Sequence, residues 1–212
     1  QEDCVTNITS LFESLRQKVN FAEVLTAHHK KNKYNFPVQD TKNIDIMMET
    51  GTGKTFTFIK TIFELSKHFG YKKFIVLIPT VPIREGTKTN LEDTKDYFKS
   101  FYANEKEKEI ETFVYEGGNI SAVRQFIGTS HLSVLVMTPS SFSHKDNILN
   151  RPLEKDINTP ELFINNQEPP KSYLECLKRL NPIVIMDEPH RFEGNAFKTY
   201  FEGFENYFLR FG

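Results

Sequence analysis

Glu-Thr-Gly-Thr-Gly-Lys-Thr, at residues 49–55, has the pattern of a loop that binds phosphate groups. Gly51 and Gly53 allow a tight backbone turn, so that successive N–H groups and the start of a following helix point at phosphate oxygens. Lys54 then reaches the β- and γ-phosphates of a nucleotide, and the Thr55 hydroxyl is placed to bind Mg²⁺. The pattern therefore predicts a site for a nucleoside triphosphate.

The sequence on either side of this loop fits the same prediction. Ile44–Met48 is a short, mostly apolar run suited to a buried strand, and Phe56–Phe69 has the periodicity of a helix. The general pattern for such loops begins with a glycine, whereas this chain has Met48 at that position. A glycine turn that opens an ordinary helix is the alternative interpretation.

Composition excludes several classes of protein. The 212 residues are 38% hydrophobic, enough to bury one substantial core, and their net charge of -1 offers no general basic field for nucleic acid. Cys4 and Cys176 lack metal-ligand spacing, so neither a disulfide framework nor a zinc site is predicted. No apolar run reaches the roughly 20 residues that span a bilayer, and no signal peptide is recognisable. We therefore expect a cytoplasmic protein without a membrane partner.

Apolar runs alternate with helical patterns along the chain, which predicts an α/β fold with a mostly parallel, doubly wound sheet flanked by helices. Near the N-terminus, Asn7 or Thr9 is the expected cap of a first helix that carries Leu11, Leu15 and Val19. The region near 143–170 is polar and without clear periodicity, so we expect an insertion there. The strands are expected at residues 44–48, 72–78, 112–115, 133–137, 182–186 and 207–211, and the longer helices at 56–69 and 83–100.

Polar motifs follow several of these strands, at the edge of a parallel sheet where ligands bind. Asp187 and Glu188 come directly after the fifth strand. Asp187 is placed to hold Mg²⁺, and Glu188 to orient and deprotonate a water that attacks the γ-phosphate. The alternative is that these acidic residues merely belong to an exposed loop.

Taken together, the motifs resemble those of superfamily-two helicases, and among them the Res subunit of type III restriction endonucleases. The Asp-Glu-Pro-His box and the Ile-Arg-Glu-Gly stretch narrow the resemblance to that family. The resemblance covers roughly residues 44 to 212 and rests on the segments 48–55, 78–80, 83–86 and 185–190.

This resemblance implies a RecA-like P-loop domain at 37–212, preceded by a helical lead-in at 1–36 that packs on its core. It implies ATP and Mg²⁺ as cofactors, with His190 sensing the γ-phosphate or coupling hydrolysis to DNA movement. Gln39 is the expected reader of the adenine edge. The remaining nucleotide contacts are expected from Thr50, Gly51, Thr52, Gly53, Lys54, Thr55, Asp187 and Glu188.

The resemblance also implies partners. Thr80, Arg84, Thr138 and Ser140 match motifs that touch the DNA backbone, where hydroxyl and N–H groups position a strand without reading its sequence. A methyltransferase subunit would read that sequence, and a second RecA-like domain and a nuclease domain would follow in a longer chain, since this one is expected to end inside the next helicase motif. Another superfamily-two DNA or RNA motor, or a nucleotide-controlled binding module, are the alternatives.

Overall fold

A parallel β-sheet forms the centre of the fold in the computed structural model. The structure describes residues 1–17, 20–35, 38, 42–49, 51–106, 109–117, 120–138, 148–151, 153, 170–192 and 201–212. Within these ranges the strands are β1 (Asn43–Ile46), β2 (Lys73–Leu77), β3 (Glu111–Val114), β4 (Ser133–Met137), β5 (Ile183–Asp187) and β6 (Phe208–Phe211). They pair in the order β1-β6-β5-β2-β4-β3, and every pair is parallel. The predicted parallel sheet is confirmed.

Helices cover both faces of this sheet, which confirms the doubly wound arrangement. The first, third, fourth and fifth helices pack on one face, whereas the sixth and seventh pack on the other. Their bounds are α1 (Glu2–Arg16), α2 (Phe21–Asn32), α3 (Lys54–Phe69), α4 (Val81–Asp93), α5 (Lys95–Phe101), α6 (Ser121–Gly128) and α7 (Tyr173–Arg179).

The central strands are buried on both faces, as their uninterrupted apolar sequences predict. Every residue of β4 and of β5 is buried, and in β2 only the first residue, Lys73, is partly exposed. The Lys73 ammonium donates to the carbonyl of Thr129, just after α6, at 2.6 Å. Burial lowers the pKa of Lys73 to about 8. A lysine at the strand start thus ties α6 to the sheet.

The prediction that Asn7 or Thr9 caps the first helix is wrong. Helix α1 begins at Glu2 with Gln1 at its N-cap, because Val5 and Ile8 extend the apolar face toward the N-terminus and are buried in the core. Thr9 lies inside the helix, where its hydroxyl donates to the Val5 carbonyl at 2.9 Å. The predicted apolar position at Val19 lies outside the described residues.

The single helix expected at 83–100 is also wrong, because two helices occupy this region. Helix α4 starts at Val81 with Pro82 in its first turn, a position that suits the fixed φ of proline. It ends at Thr94, whose hydroxyl donates to the Asn90 carbonyl at 2.6 Å. Helix α5 begins at Lys95 as a separate element.

The expected insertion near 143–170 lies mostly outside the described residues. Of its described part, Ile148–Asn150 forms a short 3₁₀ turn, and Leu149 is buried in the core beneath α7. Among the helices of the described ranges, none is long and apolar enough to cross a membrane.

Helix α1 is a structural part of the core, packed along α3. Phe12 is buried, and its ring lies 5.9 Å from that of Phe69, 5.9 Å from Tyr71 and 5.0 Å from Tyr207. We expect Phe12→Ala to lower the free energy of unfolding by about 3–5 kcal/mol in urea denaturation, because it leaves a cavity among these rings. Phe101→Ala, at a 58% exposed position, is the control and should cost under about 1 kcal/mol. Equal effects of the two substitutions would contradict core packing by α1.

Candidate nucleotide site

The glycine-rich loop turns directly from β1 into α3. Gly51 and Gly53 have φ angles of 80° and 85°, a left-handed region that side chains with a β-carbon rarely adopt. Gly53 is the N-cap, so α3 begins at Lys54 rather than at the predicted Phe56. The Thr52 hydroxyl donates to the Glu49 carbonyl at 2.6 Å and holds the turn closed. Both Lys54 and Thr55 therefore lie in the first turn of a helix, whose N–H groups favour an anion.

Lys54 crosses the sheet edge to the carboxylate that follows β5. Its Nζ lies 2.6 Å from Glu188 Oε1, and the two side chains are 13% and 28% exposed. These residues are 134 positions apart in the chain. The contact thus joins the two sides of the candidate site, the phosphate loop after β1 and the carboxylates after β5, which the sequence predicted to act on one nucleotide.

The two neighbouring carboxylates have opposite pKa shifts. Asp187 is the last residue of β5 and is 8% exposed; burial, and then the charge of Glu188, raise its pKa. The hydrogen bond from Lys54 lowers the pKa of Glu188. The site therefore contains the buried carboxyl group of Asp187 beside the more exposed carboxylate of Glu188, whose charge is neutralised by Lys54.

Glu188 has a strained backbone. Its φ is 55°, which places a residue with a β-carbon in the left-handed region, and Pro189 follows it. The Glu188 N–H donates to the Phe211 carbonyl at 2.9 Å, and its own carbonyl accepts from the Arg191 N–H at 3.0 Å. Residues in such conformations cluster at functional sites because the surroundings must hold them there.

The end of β6 connects the two walls of the site. The Met48 N–H donates to the Gly212 carbonyl at 2.8 Å, and the Gly212 N–H donates to the Ile46 carbonyl at 3.0 Å. The Phe211 carbonyl, one residue earlier, accepts from Glu188. The backbone of residues 211–212 thus fixes the start of the phosphate loop relative to the carboxylates.

His190 lies at the rim of the site. Its Nδ1 is 3.5 Å from Glu188 Oε2, and its side chain is 61% exposed. It belongs to the 3₁₀ turn Pro189–Phe192. The histidine therefore reaches from the carboxylate toward solvent, where a further part of the site could contact it.

Gln1 contacts the phosphate loop, a contact that the sequence did not predict. Its Nε2 donates to the Thr52 carbonyl at 2.7 Å, and a β-carbon at Gly53 would collide with the same amide. The neighbouring Glu2 forms an ion pair with Lys60 of α3. The apolar period of α1 predicted a helix, but only its packing beside α3 brings Gln1 to the loop. The predicted adenine reader, Gln39, lies outside the described residues.

The residues predicted to touch DNA follow β2 and β4, on the other half of the same edge. Thr80 is the N-cap of α4, and its side chain makes no capping hydrogen bond. Arg84 and Thr138 are both buried, and the Arg84 guanidinium is held by protein groups. Thr50 of the phosphate loop and Ser140 lie outside the described residues. A role for these residues in binding DNA stays a prediction.

The residues at this edge fit the cofactors that the motifs imply. The left-handed glycines, the N-terminus of α3 and Lys54 form a cradle for phosphate. Among the described residues, no group of three or more His, Cys, Asp or Glu could hold a metal ion. Mg²⁺ is commonly held by one or two carboxylates together with substrate phosphates, which Asp187 and the Thr55 hydroxyl would suit.

An all-parallel sheet covered on both faces, with a phosphate loop after its first strand and paired carboxylates after its fifth, defines a RecA-like domain of the helicase type. The chain belongs to the family described as "Type III restriction enzyme, res subunit", whose family model matches residues 1–212.

Relatives agree with this assignment. The chain is 32% identical over 206 residues to the Type III restriction-modification enzyme EcoP15I Res subunit of Escherichia coli, covering 87% of this chain and 19% of that protein. It is 34% identical over 203 residues to the EcoPI Res subunit of Escherichia phage P1, with the same coverage of 87% and 19%. The chain thus spans about a fifth of the length of these relatives.

Among solved structures, a match was found with a TM-score of 0.42 and 15% identity. It is a nuclease-deletion mutant of the Type ISP restriction-modification enzyme LlaGI in complex with a DNA substrate mimic, and the match covers 87% of this chain and 16% of that one.

The strain at Glu188 can be measured by comparing two substitutions that both remove its charge. We expect Glu188→Gly to be about 1 kcal/mol more stable than Glu188→Gln in urea denaturation, because only glycine adopts a φ of 55° without cost. Glu92, an exposed residue of α4, is the control: there the glycine variant should be the less stable by about 1 kcal/mol. The same order at both positions would show that the Glu188 backbone is unstrained.

Proposed function

We propose that this chain is the ATP-binding motor domain of a type III restriction endonuclease, in which ATP hydrolysis drives movement on DNA before cleavage. The observation that carries this proposal is the contact between Lys54 and Glu188, at 2.6 Å. It joins the phosphate loop to the carboxylate that would activate water. A structural ion pair alone would not need a helix N-terminus and two left-handed glycines beside it.

The residues of the phosphate loop bind and orient the triphosphate. The N–H groups at the start of α3 donate to phosphate oxygens, and Lys54 leaves Glu188 for the β- and γ-phosphates. Bound Mg²⁺ would supply positive charge that neutralises the negative charge developing during transfer. Thr55 and Asp187 would hold that ion, and its charge would counter the burial that raises the pKa of Asp187.

Nucleotide binding itself makes Glu188 a better base. The hydrogen bond from Lys54 is the largest cause of the lowered pKa of Glu188. When Lys54 moves to the phosphates, that cause is removed and the carboxylate regains basicity toward its ordinary value. Glu188 is then better able to accept a proton from the attacking water once a nucleotide is in place. His190, beside Glu188, is positioned to respond to the same change.

Groups from outside this chain complete the site in our proposal. The chain spans 19% of the length of its relatives. A second RecA-like domain would close over the nucleotide and supply an arginine, a feature worth about 10³ to 10⁵ in rate in other phosphoryl-transfer enzymes. A nuclease domain would cleave DNA, and a methyltransferase partner would read its sequence. The isolated chain should therefore bind ATP weakly and hydrolyse it slowly.

The DNA backbone would lie across the ends of β2, β4 and β3. Thr80 follows β2 with its hydroxyl uninvolved in capping, and it starts α4. A hydroxyl beside a helix N-terminus suits contact with a phosphate oxygen. Such contacts position a strand without reading bases, as a motor that moves along any sequence requires.

The nucleotide assignment is tested by DNA-stimulated ATPase of the full-length protein. Lys54→Ala should weaken nucleotide binding at least tenfold, because the phosphates lose their cation. Glu188→Gln should preserve binding and lower the hydrolysis rate by about 10² to 10⁴, because the base is lost. Lys67→Ala is the matched control, since Lys67 lies on the same helix and pairs at the surface with Glu105. Unchanged turnover in both site variants would rule out the motor assignment.

The DNA assignment is tested by fluorescence anisotropy with duplexes of several sequences. Thr80→Ala should weaken binding of the full-length protein by about 1 kcal/mol, to the same extent on every sequence, because a backbone hydrogen bond is lost. Thr94→Ala is the control, since the Thr94 hydroxyl is bonded within its own helix. Equal DNA affinities of the Thr80→Ala and Thr94→Ala variants would show that Thr80 does not contact DNA.

A further inference from the structure

Arg84 is held at the DNA edge of the sheet by one carbonyl and two carboxylates. Its Nη1 donates to the Tyr115 carbonyl at 3.2 Å, and its Nε and Nη2 donate to Glu85 Oε1 at 3.1 Å and 2.8 Å. Nη2 also lies 3.6 Å from Glu116 Oε1. The Arg84 side chain is 8% exposed, whereas those of Glu85 and Glu116 are 48% and 63% exposed.

These contacts divide the guanidinium into two parts. Nη1 holds a buried backbone carbonyl at the end of β3, which fixes the orientation of the group. The edge formed by Nε and Nη2 binds carboxylate oxygens, and this fork matches a carboxylate and a phosphate equally well. The donors that would bind a DNA phosphate are therefore already oriented, but they are occupied by acidic side chains.

The acidic side chains can be exchanged for another anion at little cost. Glu85 and Glu116 are well exposed, so water solvates their carboxylates once they are released. Arg84 cannot be solvated as readily, since its side chain is almost fully buried. An incoming phosphate would therefore displace the carboxylates while Arg84 stays on the Tyr115 carbonyl.

We propose that Glu85 and Glu116 are placeholders that occupy the phosphate-binding edge of Arg84 and thereby weaken DNA binding. The inference rests on the proposed function, because it concerns the same DNA edge. The Tyr115 carbonyl then orients Arg84 for contact with a phosphate, and the DNA phosphate itself displaces the two carboxylates from Arg84. A motor must release the DNA backbone in each cycle. Release is easier when the cation that binds the phosphate has carboxylates to which it can return.

The test is the affinity of the full-length protein for a fluorescent DNA duplex at low salt. Glu85→Gln and Glu116→Gln should each tighten binding about two- to fivefold, because the phosphate no longer competes with a charged side chain. Glu92→Gln, which removes a charge from an exposed position later in α4, is the control and should leave affinity unchanged. No tightening with either of the first two variants would overturn the proposal.

A second measurement separates competition for Arg84 from a general loss of negative charge. In an Arg84→Gln background, Glu85→Gln and Glu116→Gln should have almost no effect on affinity. Arg84→Lys, which retains a charge in the buried position, is a milder background and should give an intermediate effect. Full tightening in both backgrounds would show a general field effect and overturn the proposal.

The proposed function and the placeholder role fail differently. If the full-length protein does not bind DNA, this edge of the sheet is wrongly assigned to DNA. The same holds if neither Thr80→Ala nor Glu85→Gln changes the affinity for DNA. If Thr80→Ala weakens binding and the two glutamate variants leave it unchanged, only the placeholder role is wrong.

Discussion

The contact between Lys54 and Glu188 depends on two parallel strands that end at the same edge of one sheet. The two residues are 134 positions apart in the chain, and β6 lies between β1 and β5, the strands that precede them. That intervening strand is also what holds the loops in place, because its last carbonyls accept from the backbone N–H groups of Met48 and Glu188. A site built from loops alone would lack this fixed spacing, which catalysis of phosphoryl transfer requires.

The same edge separates two tasks. The loops after β1 and β5, together with the last residues of β6, form the candidate nucleotide site, whereas the segments after β2 and β4 carry the predicted DNA contacts. The two halves meet where β5 pairs with β2, through Met186 and Leu77 at their ends. A change at Glu188 is therefore one strand away from the turn that leads to Thr80. Such adjacency is the shortest physical route by which the two halves could influence one another.

Each cation that would bind phosphate has an acidic partner in this structure. Glu188 neutralises Lys54, and Glu85 with Glu116 neutralises Arg84. The physical reason is desolvation, since a largely buried cation without a partner is costly. In our proposal each pair separates when a phosphate binds: Lys54 moves from Glu188 to the nucleotide, whereas Glu85 and Glu116 leave Arg84 to the DNA backbone. The carboxylate of Glu188 would then gain a role as a base, whereas those of Glu85 and Glu116 would return to water.

Much of the fold was accessible from the sequence. The continuous apolar runs of β2 and β4 were predicted to within one residue, since strands buried on both faces leave a clear pattern. The motifs around Lys54 and Asp187 predicted which strand ends would carry the site. Helix boundaries were predicted less well: α4 ends at Asp93 and α5 begins at Lys95, within a stretch whose apolar periodicity predicted a single helix.

The sequence by itself determined the strand and helix pattern, the family, and the residue types of the candidate site, because these depend on local order along the chain. Only the tertiary structure decided that Gln1 lies on the phosphate loop, that Glu188 is strained, and that Arg84 is enclosed by Glu85 and Glu116. Periodicity says which face of an element is apolar, but not which neighbour covers that face. The partners of a side chain, and therefore its availability to a ligand, are set by packing between elements that are distant in sequence.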